Sequence, residues 1–215
     1  MTTQRANFWI LALFAATVAY AALVYPSLPD RIPIHWNIRG EVDGWGSRNT
    51  IFLGPGLILL GWVMLHGLPK LSPKQFSIDT FGPTFNLIMV LVSGMFAYIG
   101  CLIIHAAGHP HIDMGKWMVA GIALFLAALG NLMGKTRRNF YVGIRTPWTL
   151  ASEKVWDATH RLGGRWMAIG GVAAAVLVLL GAPMLLALAV ILVTSLYPVL
   201  FSYLYYKRLE RSGGL

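Results

Sequence analysis

The sequence predicts an all-α polytopic integral membrane protein: six transmembrane helices, a structured outer loop and a cytoplasmic amphipathic helix. Three observations carry that prediction. The chain of 215 residues is 57% hydrophobic and only 12% charged, so a soluble core of this size would leave too much apolar surface in water. Apolar runs close to the roughly 20 residues that cross a bilayer recur along the whole chain. The Lys and Arg residues fall between these runs, unequally on the two sides, as helix-orienting charges do. The same placement argues against reading the net charge of +9 as a nucleic-acid footprint, and no direct nucleic-acid binding is expected.

The expected spans are 8–25, 51–68, 84–107, 117–134, 166–181 and 184–206. Before the first there is only Arg5, and no small-residue cleavage site precedes Pro26, so a retained helix is expected rather than a removed signal peptide. The fifth is short and is joined to the sixth only by Ala182-Pro183, which predicts a tight hairpin. Pro55 and Pro198 are expected to kink or start helices. Trp9, Tyr25, Trp62, Trp117, Trp166 and Tyr203 stand near span ends, where amphipathic rings suit the headgroup layer. Small residues at helical spacing in the fourth span (Gly121, Ala127, Ala128, Gly130, Gly134) and the fifth (Gly170, Gly171, Ala174, Ala175) let backbones approach closely. His66 and His105 lie near span ends and no ionisable residue sits mid-span, which argues against a proton-coupled pump or an ion channel. The single Cys101 lies in an apolar run and makes no internal disulfide.

With six spans, Arg31, Arg39, Arg48 and Lys116 face one side and the other thirteen of the 17 Lys and Arg face the opposite side. That asymmetry predicts cytoplasmic termini and a cytoplasmic 135–165 loop. No internal repeat or low-complexity linker divides the chain, so 1–215 reads as one membrane domain. An N-terminal helix pair with its outer loop (8–68, loop 26–50) is followed by a four-helix part (84–206).

The outer loop is dense in Pro, Gly and Trp. Alternation of Ile32, Ile34, Trp36 and Ile38 with Pro33, His35, Asn37 and Arg39 has a period of two and predicts a strand-like segment with one apolar face on the bundle or bilayer. Gly40 and Gly44 supply turns. One His and two acids (His35, Glu41, Asp43) are thin support for a metal, and an ordered cap is the expectation. His105, His109, His111 and Asp113 have a composition that zinc could use, but a flexible turn explains them too, and neither metal nor cofactor is expected.

The 135–165 loop is the longest polar interval. Pro147 suits the first position of a helix, with Thr146 or Thr149 as cap; the helix should run to about Leu162 and stop at Gly163-Gly164. Ala151, Val155, Ala158 and Leu162 make an apolar stripe, and Glu153, Asp157 and His160 the opposite, solvated face. Asp157 can pair with Arg161, and the acids can also pair with Arg137, Arg138 or Arg145. Acids beside a His could do acid/base work, yet no nucleophile motif, phosphate loop or metal-protease signature accompanies them, and no enzyme is expected.

Two stretches carry a resemblance. Leu28-Pro29-Asp30-Arg31-Ile32-Pro33-Ile34-His35-Trp36-Asn37 with Gly40, Asp43 and Trp45 resembles a short domain of unknown function that opens many bacterial polytopic membrane proteins. Gly130-Asn131, then Arg138-Asn139-Phe140-Tyr141-Val142-Gly143-Ile144-Arg145-Thr146-Pro147-Trp148-Thr149-Leu150, then Val155-Trp156, Thr159-His160-Arg161 and Gly163-Gly164 resemble the SdpI family of bacterial membrane immunity proteins. The resemblance implies a bacterial inner-membrane protein that resists a secreted membrane-active peptide toxin. In the best-known system it implies a second role, holding a transcriptional repressor at the membrane. Arg138, Asn139, Gly143, Arg145, Thr146, Pro147, Trp148, Trp156 and His160 are then the candidate partner-binding loop, with Arg145 anchoring it to a phosphate or carboxylate and Trp148, Trp156 and His160 as contact surface. Pro33, His35, Asn37, Gly40 and Asp43 are the candidate outer-loop residues. The competing expectation is a small lipid or peptide transporter, which needs a polar cavity between helices, or a membrane enzyme acting on lipid headgroups through Glu153, Asp157 and His160.

Overall fold

The structure, a computed structural model, describes residues 1–37, 39–109 and 112–215. Ile38 and His111, both singled out above, lie outside the described residues. Among the described residues six helices are long and apolar enough to cross a membrane, and the chain is a multi-pass membrane protein. In chain order the elements are α1 (Thr3–Val24), β1 (Arg31–Trp36), β2 (Val42–Ser47), α2 (Leu53–Leu71), α3 (Gly82–Gly108), α4 (Met114–Met133), α5 (Pro147–Ala151), α6 (Glu153–Leu179) and α7 (Met184–Arg211).

The helices pack as two groups. In the first, α1, α2 and α3 close on a core of Ala6, Ile10, Ile58, Leu65, Phe81 and Phe85. In the second, α6 lies between α4 and α7. The groups meet where α3 crosses α4: the Tyr98 ring rests on Gly121, and its hydroxyl donates to the Trp117 carbonyl at 2.6 Å. Both chain ends lie at one end of the bundle, the terminal end. There the Met1 amino group donates to Pro83 O (3.1 Å) and Lys154 Nζ to Gly214 O (2.6 Å). The β-hairpin covers the other end.

Lipid tails are as apolar as the side chains, so helices associate in a bilayer through close packing rather than through exclusion of water. The α6 helix follows that rule with two glycine pairs seven residues apart. A Cβ on Gly164 would stand 2.5 Å from Gly130 O, and one on Gly171 would clash with Ala123 O and Ala127 N, so these two face α4. Gly163 and Gly170 face α7, against Pro198 and Thr194. The expected stop at Gly163-Gly164 therefore does not occur. The pair sits inside one continuous 27-residue helix, since close helix contact outweighs the roughly 1 kcal/mol of helix propensity each glycine forfeits. The fifth span is correspondingly long, and α7 turns back after Gly181, whose φ of +85° only glycine adopts freely.

Pro55 falls in the first turn of α2, where its missing N–H is harmless, whereas Pro198 lies inside α7 and is buried against α6. Only Ala187, Thr194, Pro198 and Ser202 of α7 are buried. Leu185, Leu192, Val193, Leu196 and Leu200 point outward, as on a helix bathed in lipid. The tight seam yields a testable contrast: Gly171→Ala lowers the thermal stability of the detergent-solubilised protein by about 1–3 kcal/mol through overpacking. Gly94→Ala in α3, whose Cβ meets nothing within 4 Å, leaves it unchanged or raises it by up to ~1 kcal/mol.

Candidate functional site

The segment between α4 and α6, residues 134–152, carries most of the residues that the sequence singles out. It has almost no regular structure, yet several of its backbone groups are buried and each needs a partner. Side chains supply them. Asn139, fully buried, donates through Nδ2 to Arg137 O (2.7 Å) and Val142 O (2.9 Å), and accepts at Oδ1 from the N–H groups of Tyr141 (2.8 Å) and Val142 (2.7 Å). These four bonds saturate the amide. The turn they fix places Tyr141 and Val142 against the core of the first helix group. Phe140 packs on Phe76 of the α2–α3 connection, ring centroids 4.3 Å apart. The segment thus clasps the two helix groups together.

A second set of bonds ties this clasp to α6. The Trp156 indole donates to Thr136 O at 3.2 Å. The His160 ring stacks on Trp156 at 3.9 Å, bonds through Nδ1 to Trp156 O (2.8 Å), and accepts at Nε2 from the Ile144 N–H (2.9 Å). That pairing requires the neutral Nδ1–H tautomer. Gly143 has φ +119° and lies so close that a Cβ there would collide with His160 Nε2. Thr146 and Thr149 are not alternative caps. They form one capping box on α5, with Thr149 Oγ1 also donating to Ile144 O (2.7 Å) and Thr146 Oγ1 reaching Ser202 of α7 at 3.2 Å. Thr136 and Ser202 were not singled out from sequence. Ser202 is one of two serines in the apolar last span, with Ser195, and periodicity alone does not tell them apart.

Several expectations are corrected. The helix that starts at Pro147 ends at Ala151, and a new one begins at Glu153. Ala151 is exposed, so the predicted apolar stripe is not one face. Trp156 and His160, expected at a contact surface, are 0% and 1% exposed, because the clasp folds over the helix face that periodicity assigns to solvent. Asn139 is likewise interior. Of the partners open to Asp157, the structure selects Arg137, at 3.5 Å, over Arg161. Arg145 bonds the Phe140 carbonyl and, among the described residues, has no carboxylate within 4.0 Å, and Arg138 bonds Leu150 O at 3.1 Å. Both arginines brace the loop by satisfying its carbonyls. Pro147 is exposed, and Trp148 packs on Tyr203 of α7 at 5.0 Å. Among the described residues Glu153, Asp157 and His160 share no hydrogen bond: both His160 nitrogens are engaged with backbone and Asp157 with Arg137.

At the other end, β1 and β2 pair antiparallel, with irregular register at Pro33/His35 and His35/Trp36. That irregularity breaks the expected single apolar face: Ile32 and Pro33 are buried while Ile34 is 37% exposed. Ile32 joins Leu28, Ile51, Ala21 and Ile104 in a small core. Asn37 organises the turn, accepting from the Arg39 and Glu41 N–H groups and donating to Glu41 Oε2 (2.8 Å), and Gly40 takes φ +79°. Gly44 is not a turn residue; it lies in β2 opposite His35, where a Cβ would stand 2.7 Å from that of His35. His35 bonds Asp43 at 2.5 Å. His105 and His109 stack at 4.1 Å. Among the described residues no group of three or more potential metal ligands converges. Beneath the hairpin lie two mainly apolar cavities of about 410 and 240 Å³; Ile34, Ile99 and Ile103 line both, and Met118 and Met184 extend the larger one toward α4 and α7.

These two features are where known families match. Residues 12–59 match the model described as a domain of unknown function (DUF1648), which spans both strands of the hairpin, and residues 135–202 match the SdpI/YfhL protein family, which takes in the clasp. The segment that forms the clasp is therefore similar to the SdpI/YfhL protein family. The chain is 28% identical over 211 residues to Immunity protein SdpI of Bacillus subtilis (strain 168), covering 97% of this chain and 100% of that relative. No solved structure matches the chain significantly. Within the segment that this family model matches, the Asn139 and His160 bonds predict that Asn139→Leu, which strands buried backbone groups at roughly 1–3 kcal/mol each, opens the clasp. Gly143→Ala should do so through backbone strain of about 1–3 kcal/mol plus its collision with His160. Limited trypsinolysis at Arg137, Arg138 and Arg145 is then faster in both variants than in wild type, and unchanged in the exposed-site control Glu153→Gln.

Proposed function

We propose that this chain is a non-enzymatic membrane immunity protein that protects the bacterium making it against a secreted, membrane-active peptide toxin. The reading rests on one observation: similarity to Immunity protein SdpI runs over nearly the whole of both chains. The apolar cavities beneath the hairpin support it, since a membrane-active peptide presents apolar side chains to whatever intercepts it. In this reading the hairpin with His35, Asn37 and Asp43 faces outward and meets the peptide. The clasp faces the cytoplasm, in keeping with the charge asymmetry. There it docks a partner such as a transcriptional repressor through its exposed residues Arg137, Phe140, Arg145 and Pro147.

Expression in a toxin-sensitive bacterium, challenged with the culture supernatant of a peptide-toxin producer, is expected to raise survival well above an empty-vector strain. Equal killing of the two strains would overturn the immunity reading. Sidedness has its own test in a Cys101→Ala background. A membrane-impermeant maleimide should label Trp45→Cys on intact cells and Phe140→Cys only after lysis, and the reverse pattern would invert the assignment.

A further inference from the structure

A crevice of about 250 Å³ opens between α4 and α6 at the terminal end, apart from the clasp contacts and the hairpin cavities. The close approach of Gly130 and Gly164 forms its floor, and Lys135, Arg161 and Arg165 line it together with Asn131. All three cations are exposed. Asp157, one turn from Arg161 and its natural partner, is committed to Arg137. Among the described residues none of the three cations has a carboxylate partner within 4.0 Å. Three like charges in one concave site without a counter-charge repel one another, and an anion seated among them relieves that repulsion.

Arg165 also lines a neighbouring groove of about 500 Å³ between α6 and α7, whose other lining includes Leu162, Trp166, Ile169, Ala173 and Val190. A cationic crevice and an apolar groove therefore meet at one side chain. Trp166, packed on Tyr197 at 4.8 Å, marks the headgroup level, and Ile169, 72% exposed, points to the lipid side. We infer that this junction binds one anionic phospholipid, its phosphate held by Lys135, Arg161 and Arg165 and an acyl chain lying along the Ile169 and Ala173 groove. Free phosphate shares the first contact and not the second, which is why the lipid is the assigned occupant.

The test uses full-length protein in detergent micelles, titrated with fluorescent phosphatidylglycerol or phosphatidylcholine. Wild type is expected to bind the anionic lipid more tightly. Each Lys or Arg near an anionic headgroup contributes roughly fivefold, so the combined variant Lys135→Gln/Arg161→Gln/Arg165→Gln loses binding by at least about tenfold while keeping its melting temperature. The charge-matched control Lys207→Gln/Arg208→Gln/Arg211→Gln keeps its affinity. Ala173→Phe, which fills the groove, weakens phosphatidylglycerol binding with the crevice cations intact. Undiminished binding in the crevice variant, equal loss in the control, or complete displacement by inorganic phosphate would each overturn the assignment. The assay contains no toxin, so its outcome is separate from that of the immunity reading.

Discussion

The organisation of this protein depends on how a buried, irregular segment satisfies its own backbone. Residues 136–150 leave helix α4 and return to α6 without a sheet or a long helix to pair their amides. At the edge of a bilayer an unpaired buried N–H or C=O costs on the order of several kcal/mol. Asn139 answers for four such groups, Trp156 and His160 for Thr136 O and Ile144 N, and Thr149 for Ile144 O. Because these side chains come both from the segment and from α6, the loop cannot be ordered independently of the helix. The same bonds aim Tyr141 and Val142 into the first helix group. Local hydrogen bonding and the association of the two halves are one event.

That arrangement explains why α6 begins so early and runs so far. Trp156 and His160 must stand on the same rigid rod as Gly163, Gly164, Gly170 and Gly171, so that the clasp, α4 and α7 are all referenced to one helix. A break at the first glycine pair would uncouple the clasp from the membrane seam. The short gap at Ser152, between α5 and α6, is placed where a break is harmless: it lets the Thr146 capping box approach Ser202 of α7 while α6 keeps its own axis.

The sequence made the membrane architecture legible because crossing a bilayer demands long apolar runs, and nothing else in a chain of this size produces six of them. It also made the Arg138 to Leu150 order legible as a unit. What it could not show was direction. Helical periodicity puts His160 in line with Glu153 and Asp157, and by that measure His160 is solvated. Its burial comes from a loop folding across the helix, a contact set by side-chain bonds between residues 16 apart such as Ile144 and His160. Glycine pairs misled for a related reason: as local signals they end helices, and only a neighbouring backbone at contact distance turns them into packing sites. In the outer loop the alternation foretold the first strand, and the second, Val42–Ser47, went unread because Gly44 and Gly46 look like turn residues. A period-two pattern assumes regular register, and the irregularity beside Pro33 moved Pro33 into the interior and Ile34 toward the cavities.

The two ends of the molecule are connected by the same few elements. The larger hairpin-end cavity touches α3, α4 and α7 at once through Ile103, Met118 and Met184, while the clasp joins the α1–α3 group to α4 and α6 from the opposite end. Between them, the joint is the Tyr98 ring on Gly121 and its bond to Trp117 O. A ligand at the hairpin end can alter the clasp only by favouring one relative placement of the halves over another, and by no more than its difference in affinity for the two. A clasp fixed by many directional bonds resists gradual deformation. The aromatic contact of Phe140 on Phe76 carries no directional bond, so it tolerates a small shift between the halves more readily than the bonds of Asn139 or His160 do.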